Sequence, residues 1–224
     1  MTTGSGNKSL GIEGFGIELV NTSGVFALDG GEWEVTNNIW LLGDDSEVLI
    51  IDAAHDAAPI VDAVNGRRVS AIALTHGLND HINAAVALQD AVDAPILLHP
   101  DDLMLWHMVY PDRDPDGSLA DGGVLTAGGA RGSARVGVLH TPGHAPGCCC
   151  FYLVGAAADG SDVLFSGDTL FCGGPGATGR SYSDYDTIVE SIRTKLFALP
   201  PQTIVHTGHG ESTTIGAEAA ALGR

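Results

Sequence analysis

The sequence predicts a layered α/β (α+β) fold, two β-sheets covered by helices, on three observations. Apolar runs of strand length recur along the chain, among them EVLII, AIALT, PILL, CCCFYLV and VLF. Up to about Asp52 these runs are joined by turns alone, whereas later ones lead into loops and helix-like segments. The second half then repeats the style of the first.

The elements follow in order. VFALDGGEWEV places a DGG turn between two half-alternating runs, and NNIWLLGDDSEVLIIDA repeats the pattern around GDDS. AAPIVDAVN at 57–65 predicts a helix ending at Gly66. VSAIALT predicts a strand, THGLNDH a loop, and residues 82–92 a helix. PILLHP reads as a short buried strand, and residues 100–122 as a Pro/Asp-rich excursion, either a cap over a substrate or a loop packed on the core. RVGVLH at 135–140 leads into TPGHAPG, and CCCFYLV and VLFSGDTLF are strands separated by AAADGSD. YDTIVESIRTKLFAL has helical spacing, because Ile188, Ile192 and Leu196 fall at i, i+4 and i+8. TIVHTGHG is a last strand-to-loop unit. The Gly/Ser-rich residues 1–14 predict a flexible lead-in, and 15–224 a single domain of ample length for a buried core.

Composition narrows the function classes. The chain has 224 residues, 44% hydrophobic and 17% charged, with a formal charge of −18 and no basic cluster. Such a field repels phosphate backbones and anionic lipid, which argues against nucleic acid or a membrane surface as partner. No run approaches the roughly 18–20 apolar residues that span a bilayer, and the amino terminus has no apolar core of signal-peptide length. Cys148, Cys149 and Cys150 are adjacent, so in a strand they alternate faces and form no spaced disulfide framework; Cys172 stands alone. The expected location is a reducing cytoplasm.

The chemistry sits in loops that follow predicted strands. Asp52 follows EVLII; His76, Asp80 and His81 follow AIAL; His144 follows RVGVL; Asp168 follows VLFSG; His209 follows TIVHT. Loops at the same ends of strands converge on one site in many α/β folds. Imidazole nitrogen and carboxylate oxygen suit Zn²⁺, Fe²⁺ or Mn²⁺, and no cysteine pair points to a closed structural zinc. Gly143, Gly167, Gly208 and Gly210 flank these positions and allow tight turns.

The ordered set Asp52, THGLNDH, TPGHAPG, FSGDTLF and GHGESTTIGAE resembles the metallo-β-lactamase-fold hydrolase superfamily. FSGDTLF with GHGESTTIG is most similar to its glyoxalase II-like (hydroxyacylglutathione hydrolase-like) thioester hydrolases. The resemblance implies a four-layer αββα sandwich with its active site at one edge. It also implies a metal-dependent hydrolase that cleaves the thioester of a small thiol by metal-bound hydroxide. Carried over by position, His76 and His144 belong to a first metal site, Asp80, His81 and His209 to a second, and Asp168 bridges them. Asp52 would hold the ligand loop by hydrogen bonds, and Asp80 would also steer the water proton. The cofactor so implied is zinc, one or two ions, with iron or manganese as alternatives.

Leu78 departs from the family's HxHxDH pattern and removes one imidazole from the first site. Three readings follow: a weakened first site, a single metal in the second, or iron held by His76, His144 and Asp168 as a facial triad. The last resembles the persulfide dioxygenase branch, although that branch also has the central histidine. A catalytically weak member with a binding role is a further alternative. The helical C-terminal domain of the longer glyoxalase II proteins has no counterpart after Gly210, so the thiol carrier is expected to differ from glutathione or to rest on the 100–122 excursion.

Other histidines have blander readings. His55, His99 and His107 are expected on the surface or in loops, with His55 near enough to Asp52 to line the pocket. His140 and His206 are expected as hydrogen-bonded core residues. The cysteine triplet is expected in a buried strand.

Overall fold

The computed structural model of the chain describes residues 14–223, so the expected lead-in lies, apart from Gly14, outside the described residues. The first sheet holds β1 (Gly16–Leu28), β2 (Gly31–Gly43), β3 (Glu47–Ile51), β4 (Arg68–Ala73), β5 (Ile96–Leu98) and β6 (Gly117–Ser118), side by side in sequence order. Asp29 and Gly30, both at positive φ (52° and 76°), close the long β1–β2 hairpin. Left-handed conformation at both turn residues matches the strand twist, which is why Asp-Gly is favoured there. The second sheet comprises β7 (Val124–Ala127), β8 (Ala134–His140), β9 (Cys149–Leu153), β10 (Val163–Gly167), β13 (Ile204–Thr207) and β14 (Thr213–Thr214). Its spatial order is β14-β13-β10-β9-β8-β7, and β11 (Leu170–Phe171) with β12 (Gly174–Pro175) forms a small separate ribbon.

Side-chain alternation with period two builds the layers. Trp40, Leu42, Leu49 and Ile51 face the other sheet and pack with Phe151, Leu153, Val163 and Phe165. Their neighbours Ile39, Leu41, Val48 and Ile50 point outward to helices α1 (Ala57–Val64), α3 (Ala85–Val92) and α4 (Leu103–Val109), meeting Ile60, Leu88 and Trp106. On the far face, Leu164 and Val205 pack under Ile188, Ile192 and Ile215, from α5 (Tyr185–Ser191), the turn after it and α6 (Ile215–Ala221). Each such buried side chain contributes roughly 1.5–3 kcal/mol. The four αββα layers are thus written in alternate residues. Cys149 joins the inter-sheet core and Cys150 the helix layer, as adjacent strand residues must.

Several elements differ from their sequence expectation. The helix expected over 82–92 begins only at Ala85, as α3, and a separate short helix, α2 (Asn79–Ile82), takes up the end of the expected loop, with a break at Asn83 and Ala84. There the chain is pinned sideways: Ala84 N–H donates to the Ala53 carbonyl, and Asn83 Oδ1 accepts the His55 N–H at 2.6 Å. The helix over 57–65 ends at Val64, because Asn65 takes the left-handed cap (φ 51°) that had been expected from Gly66. YDTIVESIRTKLFAL begins as α5 and widens into one π-helical turn at Ile192–Leu196. β7 and α6 had not been read from the sequence. Among the described residues no helix is long and apolar enough to cross a membrane.

Candidate metal centre

β3 and β4 run parallel, as do β10 and β13, so the loops after them open at one edge of the sandwich. Asp52 follows β3, His76 lies in the loop 74–78 between β4 and α2, and Asp80 and His81 stand on α2. Pro142–Gly147 follows β8, Asp168 follows β10, and Gly208–Gly210 follows β13. All six candidate ligands meet there. His81 Nε2 lies 3.2 Å from His209 Nε2, 3.6 Å from Asp80 Oδ2 and 3.3 Å from Asp168 Oδ1. Asp168 Oδ2 lies 3.5 Å from His144 Nε2 and 3.4 Å from His209 Nε2, so this carboxylate touches both halves of the cluster. The rings of His76 and His144 are 5.0 Å apart between centroids, and those of His76 and His81 4.1 Å. His81 is the hub: it belongs to a three-ligand group with His76 and Asp168 and to another with Asp80 and His209.

Each histidine is oriented through its other nitrogen. His81 Nδ1 faces Asp52 Oδ2 at 2.9 Å, His144 Nδ1 donates to the Ala177 carbonyl, and His209 Nδ1 donates to the Thr36 carbonyl. The Thr75 hydroxyl donates to the Asp52 carboxylate and so accepts from His76 Nδ1. All four Nε2 atoms are thereby left toward the common centre, the wiring found around metal-bound histidines. Asp52 also accepts the Thr75 backbone N–H at 2.7 Å, fastening the start of the loop. Gly208 is required by space, since a Cβ there would meet Asp168 Oδ1 and the His81 ring.

The electrostatics ask for positive charge at this point. Burial works against protonation of His81, yet the Asp168, Asp80 and Asp52 carboxylates outweigh it and hold its pKa well above the usual imidazole range. Burial opposes charge on His209 too, but Asp168 and Asp80 raise it to about 10. Asp80, despite burial, is drawn down to about 2 by His81 and His209. His76, by contrast, is pushed well down by burial and by neighbouring His81 and His144. Among the described residues, His76 Nε2 is buried without a hydrogen-bond partner, at a cost of roughly 1–3 kcal/mol, and Asp168 Oδ1 has only the His81 imidazole at 3.3 Å. A divalent cation satisfies both, and the nitrogen and oxygen donors fit zinc, iron or manganese.

Leu78 is more than a missing ligand. It is 5% exposed and packs with Phe26, Leu28, Leu105, Ala145 and Cys148, forming an apolar wall beside His144. Above it opens a cavity of about 500 Å³ lined by Asp80, His144, Asp168 and His209 together with Phe26, Trp33, Phe171 and Arg180. The Arg180 guanidinium lies 4.3 Å from the Trp33 ring centre and 5.3 Å from that of Phe26. It is the one lysine or arginine among the described lining residues. No residue of 100–122 lines this cavity; Trp106 is fully buried in the helix-side core, so the excursion packs on the core.

Reading the sequence missed Asn37, which donates toward Asp80 Oδ2 at 3.3 Å and whose Oδ1 meets His55 Nε2 at 2.8 Å. Its only local signal was the NN pair at the start of a buried strand run. His55, in the loop after β3, is thereby tied to the site's periphery, as its nearness to Asp52 had suggested. His99 lies in a loop, as expected, between β5 and Pro100, but is buried there and stacked on His140 with ring centres 3.9 Å apart at 11°. With Asp101 this pair forms a third cluster of metal-binding residue types. It suits an ion poorly, because parallel stacked rings cannot both aim in-plane lone pairs at one point. His140 Nε2 also already donates to the Pro146 carbonyl. His107 is exposed beside Asp114, and His206 stacks on Trp40.

Two helix-flanked sheets with four imidazoles and two carboxylates gathered at one edge define a metallo-hydrolase class of protein. The chain belongs to the metallo-β-lactamase superfamily, whose profile matches residues 33–209. It is 32% identical over 195 residues to the hydroxyacylglutathione hydrolase GloC of Haemophilus influenzae, covering 80% of this chain and 87% of that protein. Among solved structures, the BLEG-1 B3 metallo-β-lactamase superposes with a TM-score of 0.72 at 30% identity, covering 89% of this chain and 97% of that one. TTHA1623, solved in a di-iron-bound form, superposes at 0.67 with 32% identity, covering 84% and 94%. The four-layer fold and the superfamily expected from the motifs are what these comparisons show.

Proposed function

We propose that this protein is a metal-dependent hydrolase of acyl-thiol esters, cleaving the thioester of a small anionic thiol in the manner of glyoxalase II. The observation that carries the reading is the juxtaposition of the His/Asp cluster with a largely apolar cavity in which Arg180 is the one lysine or arginine among the described lining residues and Glu34 the one glutamate. Phe26, Trp33, Phe171 and Leu78 offer apolar contact to an acyl-thiol chain, and Arg180, stacked on two rings, offers its N–H donors to a carboxylate. His76, Asp80, His81, His144, Asp168 and His209 would hold the metal, with zinc expected. A metal there supplies a Lewis acid and an acidified water. Asp80, which accepts from Asn37, would steer the proton that the attacking water gives up. The apolar wall at Leu78 and Cys148 keeps bulk water off the His144 side. A reducing cytoplasm, where the buried cysteines stay thiols, completes the proposal. The similarity to GloC supports the substrate class.

The test is metal analysis of the purified protein with turnover of S-lactoyl and S-formyl thioesters, a β-lactam and a persulfide. Zinc or mixed metals with thioester turnover is the expected result. One tight iron per chain with oxygen uptake on persulfide would identify the His76, His144 and Asp168 triad as an iron site. Silence on all substrates after metal loading would leave a binding role.

A further inference from the structure

Asp102 takes no part in the cluster just described, yet it is fully buried between two of its loops. It ends the short 3₁₀ turn at Pro100–Asp102 and starts α4 without capping it by its side chain. Its two carboxylate oxygens are each used once. Oδ2 accepts the Gly77 N–H at 2.8 Å, and Oδ1 accepts the Gly147 N–H at 2.6 Å. Gly77 adjoins His76, while Gly147 closes the loop that carries His144. Both glycines are needed for the approach: a Cβ at Gly77 would lie 3.0 Å from Asp102 Cβ, and one at Gly147 2.7 Å from Asp102 Cγ. Among the described residues no lysine or arginine pairs with the carboxylate, and burial pushes its pKa up to about 6. A charge so placed is costly, and the geometry gives a reason for it. Only a carboxylate presents an acceptor at both ends, since an amide would set its NH₂ against one of the two N–H groups.

We propose that Asp102 is a positioning residue, a two-ended clamp that sets the spacing of the His76 and His144 loops and thereby the metal affinity of the centre. The proposal rests on the reading of that cluster as a metal site. Asp102 touches neither metal ligand nor cavity, and it acts through the backbone of the two glycines. A second link, the Cys149 N–H at the start of β9 donating to the Thr75 carbonyl at 2.7 Å, ties the strand after the His144 loop to the start of the His76 loop and remains when the clamp is removed.

The experiment compares wild type, Asp102→Asn and Gly147→Ala in three readouts: Co²⁺ affinity, the visible spectrum of the Co²⁺ protein, and amide exchange at Gly77 and Gly147. Asp102→Asn is expected to weaken Co²⁺ binding about 10- to 100-fold, as loss of a supporting partner around a metal site does, to alter the d–d bands and to speed exchange at both glycines. Gly147→Ala keeps the carboxylate but pushes a methyl group into it, and is expected to weaken Co²⁺ binding in the same way. It also serves if Asp102→Asn does not fold. Unchanged affinity and spectrum in either folded variant overturn the proposal. If wild type binds no Co²⁺, the metal reading fails by itself, while the exchange rates still report whether the clamp exists.

Discussion

Leu78→His restores the imidazole that the family's motif carries, and its consequences follow from where Leu78 sits. The leucine is 5% exposed against Phe26, Leu28, Leu105, Ala145 and Cys148. Removing it from that cluster forfeits roughly 2 kcal/mol of burial, and an imidazole without a partner there costs roughly 1–3 kcal/mol more. The metal-free variant should thus be destabilised by about 3–5 kcal/mol, or about 6–20 °C in Tm for a chain of this size. A metal at one hundred times its Kd returns about 2.7 kcal/mol, so zinc at that excess should restore about half of the loss or more. Differential scanning calorimetry in chelator and in excess zinc measures both terms, and metal analysis should show content rising toward two per chain. Leu78→Ala supplies the control, since it opens the same wall and gains no ligand. A metal-free Leu78→His as stable as wild type would refute the packing account. A zinc response no larger than that of Leu78→Ala would show that an imidazole at this position does not reach the centre.

Arg180→Ala should raise KM for an anionic thioester about 10- to 100-fold, the loss of a charge-assisted contact of about 1.5–3 kcal/mol, and leave kcat nearly unchanged; an equal shift with a neutral thioester would sink the assignment. His206 is held neutral by burial, its pKa lowered to about 4. The unfolded chain takes up this proton below about 6.5, so the stability His206 confers is complete above that pH and is lost as pH falls toward 4, by up to roughly 3 kcal/mol. His206→Gln should therefore flatten the dependence of Tm on pH between 6.5 and 4, even though it loses the stack on Trp40 at every pH; an unaltered slope would count against this.

Local sequence was enough for the layers and for the ligand set. Alternating residues at 39–42 and 48–51 encode which side chain enters which core, and a slip of one residue would turn every side chain to the wrong layer. The Asp29–Gly30 turn is fixed by the left-handed geometry those residues tolerate. The histidines and aspartates stand directly after strands, so the order of motifs along the chain already states what converges at one edge. Helix boundaries were less readable, because the break at Asn83 depends on hydrogen bonds to residues near 53–55 and not on the helix's own sequence.

Only the tertiary structure decided how the site is enclosed. Asp102 meets Gly77 across 25 residues and Gly147 across 45, from a Pro/Asp-rich stretch where one more aspartate carries no local signal. Arg180 finds Trp33 and Phe26, and Leu78 finds Cys148, because the packing of two sheets brings their loops together. Propensity and periodicity act over a turn or a strand, and they report the face a residue occupies. Which distant loop lies opposite that face is set by how the sheets close on each other, and that closure turns Leu78 from a gap in a motif into a wall of the cavity.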